Sequence, residues 1–264
     1  MKNFYTLITG ASRGFGKAMA LEFAHRKMNL VLVALPNSGL NELSNFIKNN
    51  FNIDVVCLEA DLSITDSYYI IADYIKDNNI QIKYLVNNAG VLSRGYFDEL
   101  TDLFILKQIE VNVTAPTLLI RLLLKNLKSN TPAGILNVSS MASFFALPKK
   151  QVYGGTKAYL LSFSKSLRKE LKKDNISVTT VCPGGLNTTT RLCYQNRICS
   201  WITQKSVLSP EVAAKISIDG MLEGKKLIIP GLVNKCFMIV DKILPEFIKD
   251  KLTNNEIKKI PAAA

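Results

Sequence analysis

Short apolar runs alternate with stretches of helical periodicity along most of the chain. The runs Phe4–Thr9, Leu30–Ala34, Ile53–Leu58, Tyr84–Asn87, Gly134–Val138, Val178–Val181 and Lys226–Ile229 read as strands. Between them, apolar positions recur at helical spacing over about Gly14–Lys27, Leu40–Asn50, Thr65–Asn79, Thr101–Lys128, Gly154–Lys173 and Pro210–Leu222. Strands separated by helices pair in parallel, with the helices covering both faces of the sheet. The pattern therefore predicts an α/β fold, a doubly wound parallel sheet of about seven strands, in one domain over residues 1–231. An extra helical segment over 232–264 follows it. In such a sheet, ligands bind beyond the carboxyl ends of the strands.

Composition narrows the field. With 264 residues and 48% hydrophobic positions, the chain can bury a core and lies outside the disordered range. No Pro/Gly/Ser-rich linker, repeat or low-complexity segment divides it. The net charge of +12 is uneven, since residues 121–173 hold eleven Lys/Arg against the single acid Glu170. No nucleic-acid motif accompanies that charge. Arg168, Lys169, Lys172 and Lys173 close a helix, where cations oppose the negative end of its dipole. Cys57, Cys182, Cys193, Cys199 and Cys236 show no paired spacing, and Cys57 and Cys182 in strand-like runs read as buried thiols of a reducing compartment. The lone His25 supports no zinc site. Met1-Lys2-Asn3 leads at once into a strand, so no secretory leader is expected. No membrane span is expected either, because Pro230, Asn234 and Lys235 interrupt the most apolar late stretch.

The chemistry-bearing motifs sit where strands end. Thr9-Gly10-Ala11-Ser12-Arg13-Gly14-Phe15-Gly16 joins the first strand to the first helix, and glycines there allow a tight turn and close approach to a pyrophosphate. The three-residue gap between Gly10 and Gly14 resembles the short-chain dehydrogenase/reductase family. Later motifs occur in that family's order: Asp61 before Leu62, Asn87-Asn88-Ala89-Gly90, Asn112, Ser140, Tyr153 with Lys157, and Pro183-Gly184. The resemblance covers roughly residues 4–223. It implies a Rossmann fold, a nicotinamide cofactor and interconversion of ketone and alcohol.

Tyr153 and Lys157 lie four apart at the start of a helix and share a face. A nearby ammonium and an oxidised nicotinamide would lower the tyrosine pKa from about 10 toward the working range. By resemblance, Tyr153 is the proton donor and Lys157 also bonds the nicotinamide ribose. Ser140, thirteen residues before Tyr153, is chosen over Ser139 as the group that holds the substrate oxygen. Asn112 matches the asparagine that positions a relay water. For the cofactor, the resemblance implies contacts from Gly10, Ser12, Arg13, Gly14, Phe15 and Gly16, and from Asp61 and Leu62 at the adenine. Asn88, Ala89 and Gly90 are expected at the ribose, and Pro183, Gly184 and Thr188 at the carboxamide.

The second strand ends in Ala34-Leu35-Pro36-Asn37-Ser38 without an acid, and Arg13 could pair with a 2′-phosphate. NADP(H) is therefore preferred, with NAD(H) not excluded. The segment 189–208 occupies the family's substrate lid. Its Leu192, Tyr194, Ile198, Trp201 and Ile202, interleaved with Arg191 and Arg197, suit a lipophilic substrate with an anionic end, or else a helix pair closing the core. Phe144, Phe145 and Leu147 add apolar surface. Lys149 and Lys150 at the rim could meet coenzyme A or an acyl-carrier protein, or be plain solvated lysines. The tail carries Val233, Phe237, Val240, Ile243, Leu244, Phe247 and Ile248 with Lys235, Lys242, Lys249 and Lys251, and resembles a lipid-oriented ketoacyl and hydroxysteroid reductase subgroup. Lid, oligomer contact and peripheral membrane helix all remain open for it.

The expectation is an NADPH-dependent reductase of a lipophilic ketone such as a 3-oxoacyl thioester. The alternatives are a hydroxysteroid dehydrogenase and a non-catalytic NADP-binding or membrane-associated protein. The resemblance also implies a homodimer or homotetramer built on the helices 101–128 and 154–173, in the cytoplasm or peripheral to a membrane.

Overall fold

The computed structural model describes residues 3–92, 95–198 and 201–241. Seven parallel strands lie in the order β3-β2-β1-β4-β5-β6-β7. They are β1 (Phe4–Thr9), β2 (Asn29–Ala34), β3 (Val55–Glu59), β4 (Gln81–Asn87), β5 (Ala133–Val138), β6 (Ile176–Val181) and β7 (Leu227–Ile228). The helices between them are α1 (Gly14–His25), α2 (Leu40–Phe51), α3 (Asp66–Asp77), α4 (Asp102–Ile109), α5 (Ala115–Ser129), α6 (Gln151–Leu171), α7 (Thr190–Ile198), α8 (Trp201–Ser206) and α9 (Pro210–Leu222), with α10 (Leu232–Asp241) after β7. The strand order reverses between β1 and β4. The connections leaving their carboxyl ends therefore run to opposite faces of the sheet and open a crevice there.

Alternation along each strand supplies both faces. On β1, Ile8 points into a core with Phe15, Met19 and Phe23 of α1, Leu40 and Ile47 of α2, and Ile218 of α9. Its neighbour Leu7 points the other way, among Tyr68, Ile71 and Ile75 of α3, Leu119, Leu123 and Leu127 of α5, and Leu171 of α6. Both faces being covered, the strands are mostly apolar, with buried Thr6, Thr9, Asn87, Asn137, Thr179 and Thr180 as polar exceptions.

One expectation is corrected. The helix expected over Thr101–Lys128 is interrupted: Glu110–Thr114 form a widened π-type turn between α4 and α5. Glu110 there accepts the Tyr68 hydroxyl of α3, and such turns rotate side chains out of the regular helical register. Among the described residues, the run Asp102–Ser129 is long and apolar enough to cross a membrane, with a mean hydropathy of 1.4. In this fold its α5 half packs on the sheet through Leu119, Ile120, Leu123 and Leu127, while Leu103 and Leu106 of α4 are exposed. The tail positions Lys242, Ile243, Leu244, Phe247, Ile248, Lys249 and Lys251 lie outside the described residues, as do Cys199 and the side chains of Arg191, Ile198, Trp201 and Ile202.

Candidate active site

The turn after β1 is built around glycine. Gly10 and Gly14 adopt φ of +65° and +54°, the left-handed region that side chains disfavour. A β-carbon on Gly16 would stand 2.1 Å from the Gly10 carbonyl oxygen, so α1 can approach the loop only because residue 16 has none. Across the crevice, the Asn88 carboxamide donates to the Thr9 and Gly10 carbonyls at 2.8 and 3.2 Å. The Asn88 and Ala89 N–H groups both donate to the Thr9 hydroxyl at 3.0 Å. The β1 and β4 loops are thus one hydrogen-bonded unit, with Thr188 packed on Gly14 at its open side. The first turn of α1 carries no acid, and Arg13 caps it without a side-chain hydrogen bond. Its first N–H groups therefore face the crevice, which fits a pyrophosphate.

Other expected cofactor residues divide by position. Ser12 and the exposed Arg13 lie in the loop itself. Phe15 and Leu62 turn their side chains into the core, leaving only backbone for a ligand. Asp61 accepts the Ser63 N–H and hydroxyl at 2.9 and 2.7 Å and faces Lys107 at 3.7 Å. Burial opposes its ionisation, but these partners outweigh burial and hold the carboxyl below its usual range. After β2, the Ser38 hydroxyl is buried without a hydrogen-bond partner.

Beyond β5 and β6 the structure brings Ser140, Tyr153 and Lys157 together. Ser140 opens a short turn, and its hydroxyl accepts the Ala142 N–H at 3.1 Å. Ser139, by contrast, is buried and donates to the Lys157 carbonyl at 2.8 Å. One serine anchors α6, and the other opens toward Tyr153. The Lys157 ammonium donates to the Val138 carbonyl at 2.9 Å and lies 5.8 Å from the centre of the Tyr153 ring. Burial pushes Lys157 down to about 8. Burial also pushes Tyr153 up from its ordinary value, while the Ser140 side chain pulls it the other way. The expected lowering of the tyrosine invokes an oxidised nicotinamide beside it as well as the ammonium, and so concerns the cofactor-bound protein. In the protein alone desolvation dominates, because it disfavours tyrosinate and ammonium alike.

Asn112 lies in the widened turn with 1% of its surface exposed. Its carboxamide oxygen accepts the Val91 N–H at 2.8 Å, and its nitrogen donates to the Val91 carbonyl at 3.0 Å and the Thr156 hydroxyl at 3.1 Å. Gly90 lets this group and the Lys157 ammonium approach, since a β-carbon there would be 3.3 Å from each. Thr156 in turn donates to the Tyr153 carbonyl at 2.7 Å. Asn112 thereby ties the β4 loop to the first turn of α6.

On the remaining side, the Pro183 carbonyl accepts the Met141 N–H at 2.9 Å. Cys182 is buried as expected, whereas Cys57 is only half-buried. Burial raises the Cys182 thiol to about 11, a neutral group beside Ser143 at 3.9 Å. Met141, Leu161, Cys182 and Ile229 form a small apolar cluster with Phe144, Phe145, Phe237 and Met238. Sequence reasoning missed Thr9, Ser38, Ser139 as an anchor, Thr156 and Asn234. Asn234 alone carried a signal, a polar residue inside an otherwise apolar helical run.

The model of the family described as short chain dehydrogenase matches residues 5–196. The very-long-chain 3-oxoacyl-CoA reductase of Mus musculus is 36% identical over 185 residues, covering 68% of this chain and 58% of the relative. The 17-beta-hydroxysteroid dehydrogenase type 3 of Homo sapiens is 31% identical over 193 residues, covering 70% of this chain and 59% of the relative. The chain thus matches less than two thirds of the length of these curated relatives. A short-chain dehydrogenase from Sphingobium yanoikuyae, solved in complex with NADPH, is 29% identical with a TM-score of 0.77, covering 86% of this chain and 88% of that one.

Proposed function

The chain belongs to the short-chain dehydrogenase family, and from that premise we propose that it reduces a ketone on a lipophilic substrate with NADPH, and oxidises the alcohol in reverse. The observation that carries this reading is the meeting of Ser140, Tyr153 and Lys157 at the carboxyl edge of the sheet, across from a glycine cradle whose every β-carbon position is filled by neighbouring atoms. When bound, the nicotinamide supplies or takes up the hydride.

The protein's own residues supply the rest. The Ser140 hydroxyl holds the substrate oxygen and stabilises charge developing on it. Tyr153 keeps its proton at neutral pH because it is buried, so it is ready to donate as the oxygen becomes alkoxide-like. Lys157, anchored on the Val138 carbonyl, keeps a donor beside the tyrosine and the ribose position. Asn112 holds the β4 loop to α6, and its likeness to the family's helix asparagine supports a role in positioning a relay water toward Lys157. Arg13 and the unpartnered Ser38 hydroxyl would hold a 2′-phosphate, which favours NADP(H) over NAD(H).

The apolar cluster beside Ser140, completed by α10, supports a lipophilic substrate and the lid reading of residues 232–241. A 3-oxoacyl thioester is the first candidate, given the mouse relative, and a hydroxysteroid the second, given the human one. Exposed Leu103 and Leu106 on α4 and Tyr159 on α6 support a dimer through these helices. A ketone panel followed by NADPH absorbance tests the activity. Tyr153→Phe should retain NADPH binding and lose about 10²–10⁴ in turnover, and unchanged turnover would sink the mechanism. Arg13→Ala should raise KM for NADPH and leave that for NADH unchanged.

A further inference from the structure

The charge excess of α6 gathers at a place the proposed chemistry does not use. Lys165, Arg168, Lys169 and Lys172 of α6 and its end, with Lys226 just before β7, line a cavity of about 260 Å³. It lies at the amino ends of β6 and β7, the edge of the sheet opposite Ser140 and Tyr153. The volume falls below the roughly 300–1,000 Å³ of pockets that take drug-sized ligands. It suits a compact head group.

The arrangement is not explained by the helix alone. A helix dipole favours cations only within its last turn, where Arg168 and Lys169 stand. Lys165 precedes that turn, and Lys226 belongs to another element. Lys165 with Lys169 and Arg168 with Lys172 are like-charge pairs at four-residue spacing, which repel. Among the described residues none of the five forms an ion pair. The nearby acids Asp174 and Glu223 are bound to Lys128 and Lys225 at 2.9 and 2.5 Å. Arg168 is fixed as the floor, with its guanidinium donating to the Val178 and Gly224 carbonyls at 2.9 and 2.7 Å. Two of its five N–H groups are thus committed, and the others remain available for an acceptor.

We infer that this cavity is a second anion site, for a phosphate-bearing group, either a free phosphate compound or the head group of an acidic phospholipid. The guanidinium offers oriented donors and the lysines a field of one sign, the pairing that phosphate oxygens require. Because the site lies across the sheet from the crevice, it binds without taking part in turnover.

The test uses the full chain at low ionic strength with saturating NADPH, which occupies the glycine cradle. Inorganic pyrophosphate is titrated calorimetrically, and phosphatidylcholine vesicles with and without phosphatidic acid are pelleted with the protein. Lys165→Gln/Lys169→Gln/Lys226→Gln should bind about tenfold more weakly, with kcat and KM unchanged, as removal of three surface cations predicts. Lys48→Gln/Lys76→Gln/Lys125→Gln, which removes equal charge elsewhere, should bind like the parent. Loss of pyrophosphate binding in the first variant alone identifies a free phosphate ligand, and loss of vesicle binding alone identifies a lipid head group. The inference fails if the parent binds neither probe, or if both variants bind equally.

Discussion

Asn234 of α10 lies so close to Gly184 that a β-carbon on the glycine would stand 2.4 Å from the asparagine carboxamide oxygen. Asn234 is 2% exposed, and its nitrogen donates to the Ser206 and Pro230 carbonyls at 3.0 and 2.8 Å. One side chain therefore joins α10, the end of α8 and the Pro183-Gly184 loop beside the proposed nicotinamide position. Gly184→Ala is expected to cost about 1–3 kcal/mol by overpacking. Asn234→Ala is expected to cost about 1–3 kcal/mol by removing the two buried hydrogen bonds that its carboxamide donates. The double variant should cost less than the sum, by about 0.5–3 kcal/mol, because the smaller residue 234 makes room for the new methyl. Denaturant unfolding of the four proteins measures the coupling, and strict additivity would remove the contact from the account.

The two adjacent serines should separate cleanly. Ser140→Ala is expected to leave the unfolding midpoint nearly unchanged and to lower kcat about 10²-fold or more, the cost of losing a donor to a developing oxyanion. Ser139→Ala loses the bond to the Lys157 carbonyl and should destabilise by about 1 kcal/mol with a smaller effect on kcat. Steady-state kinetics alongside thermal unfolding distinguish them. The reverse pattern would assign the site to the wrong serine.

Gly16→Ala places a methyl against the Gly10 carbonyl, a backbone atom that cannot swing aside. The loop must shift, at a cost of about 1–3 kcal/mol. Fluorescence titration should show NADPH binding weakened about tenfold or more, as that free energy implies. Retention of full affinity would show that the loop does not form the cofactor cradle.

Lys157 gives a pH signature. Its folded value is about 8 and its unfolded value 10.5. Between these the unfolded chain binds more protons, so stability rises with pH. Cys182 opposes this, since its value rises from 9.0 to about 11 on folding, weakly between pH 8 and 9 and mainly above pH 9. From pH 8 to 9 the unfolding free energy of the cofactor-free protein should therefore increase by about 1 kcal/mol. Lys157→Met should abolish that increase. A flat profile in the parent would mean that the ammonium is solvated rather than buried.

The parallel sheet was legible because strands buried on both faces leave continuous apolar runs, and their order along the chain is set by the intervening helices. Tyr153, Lys157 and Ser140 were legible for a related reason. Each lies just past a strand or in a helical first turn, so spacing along the chain maps directly onto proximity. The widened turn at Glu110–Thr114 was not legible, since it depends on Glu110 meeting Tyr68 from another helix. Nor was the part Ser139 plays as an anchor of α6, which rests on its hydroxyl meeting the Lys157 carbonyl.

By itself, then, the sequence determined the layered architecture and the glycine turn, which follow from local periodicity and short-range spacing, and its family motifs singled out the side chains proposed to react. Tertiary structure alone decided how those groups are tuned. The burial that depresses Lys157 and raises Tyr153, the Asn112 bonds that tie the β4 loop to α6, and the seating of Asn234 on Gly184 each arise between residues far apart in the chain. Desolvation and close contact are properties of the packed interior, and no run of neighbouring residues encodes them.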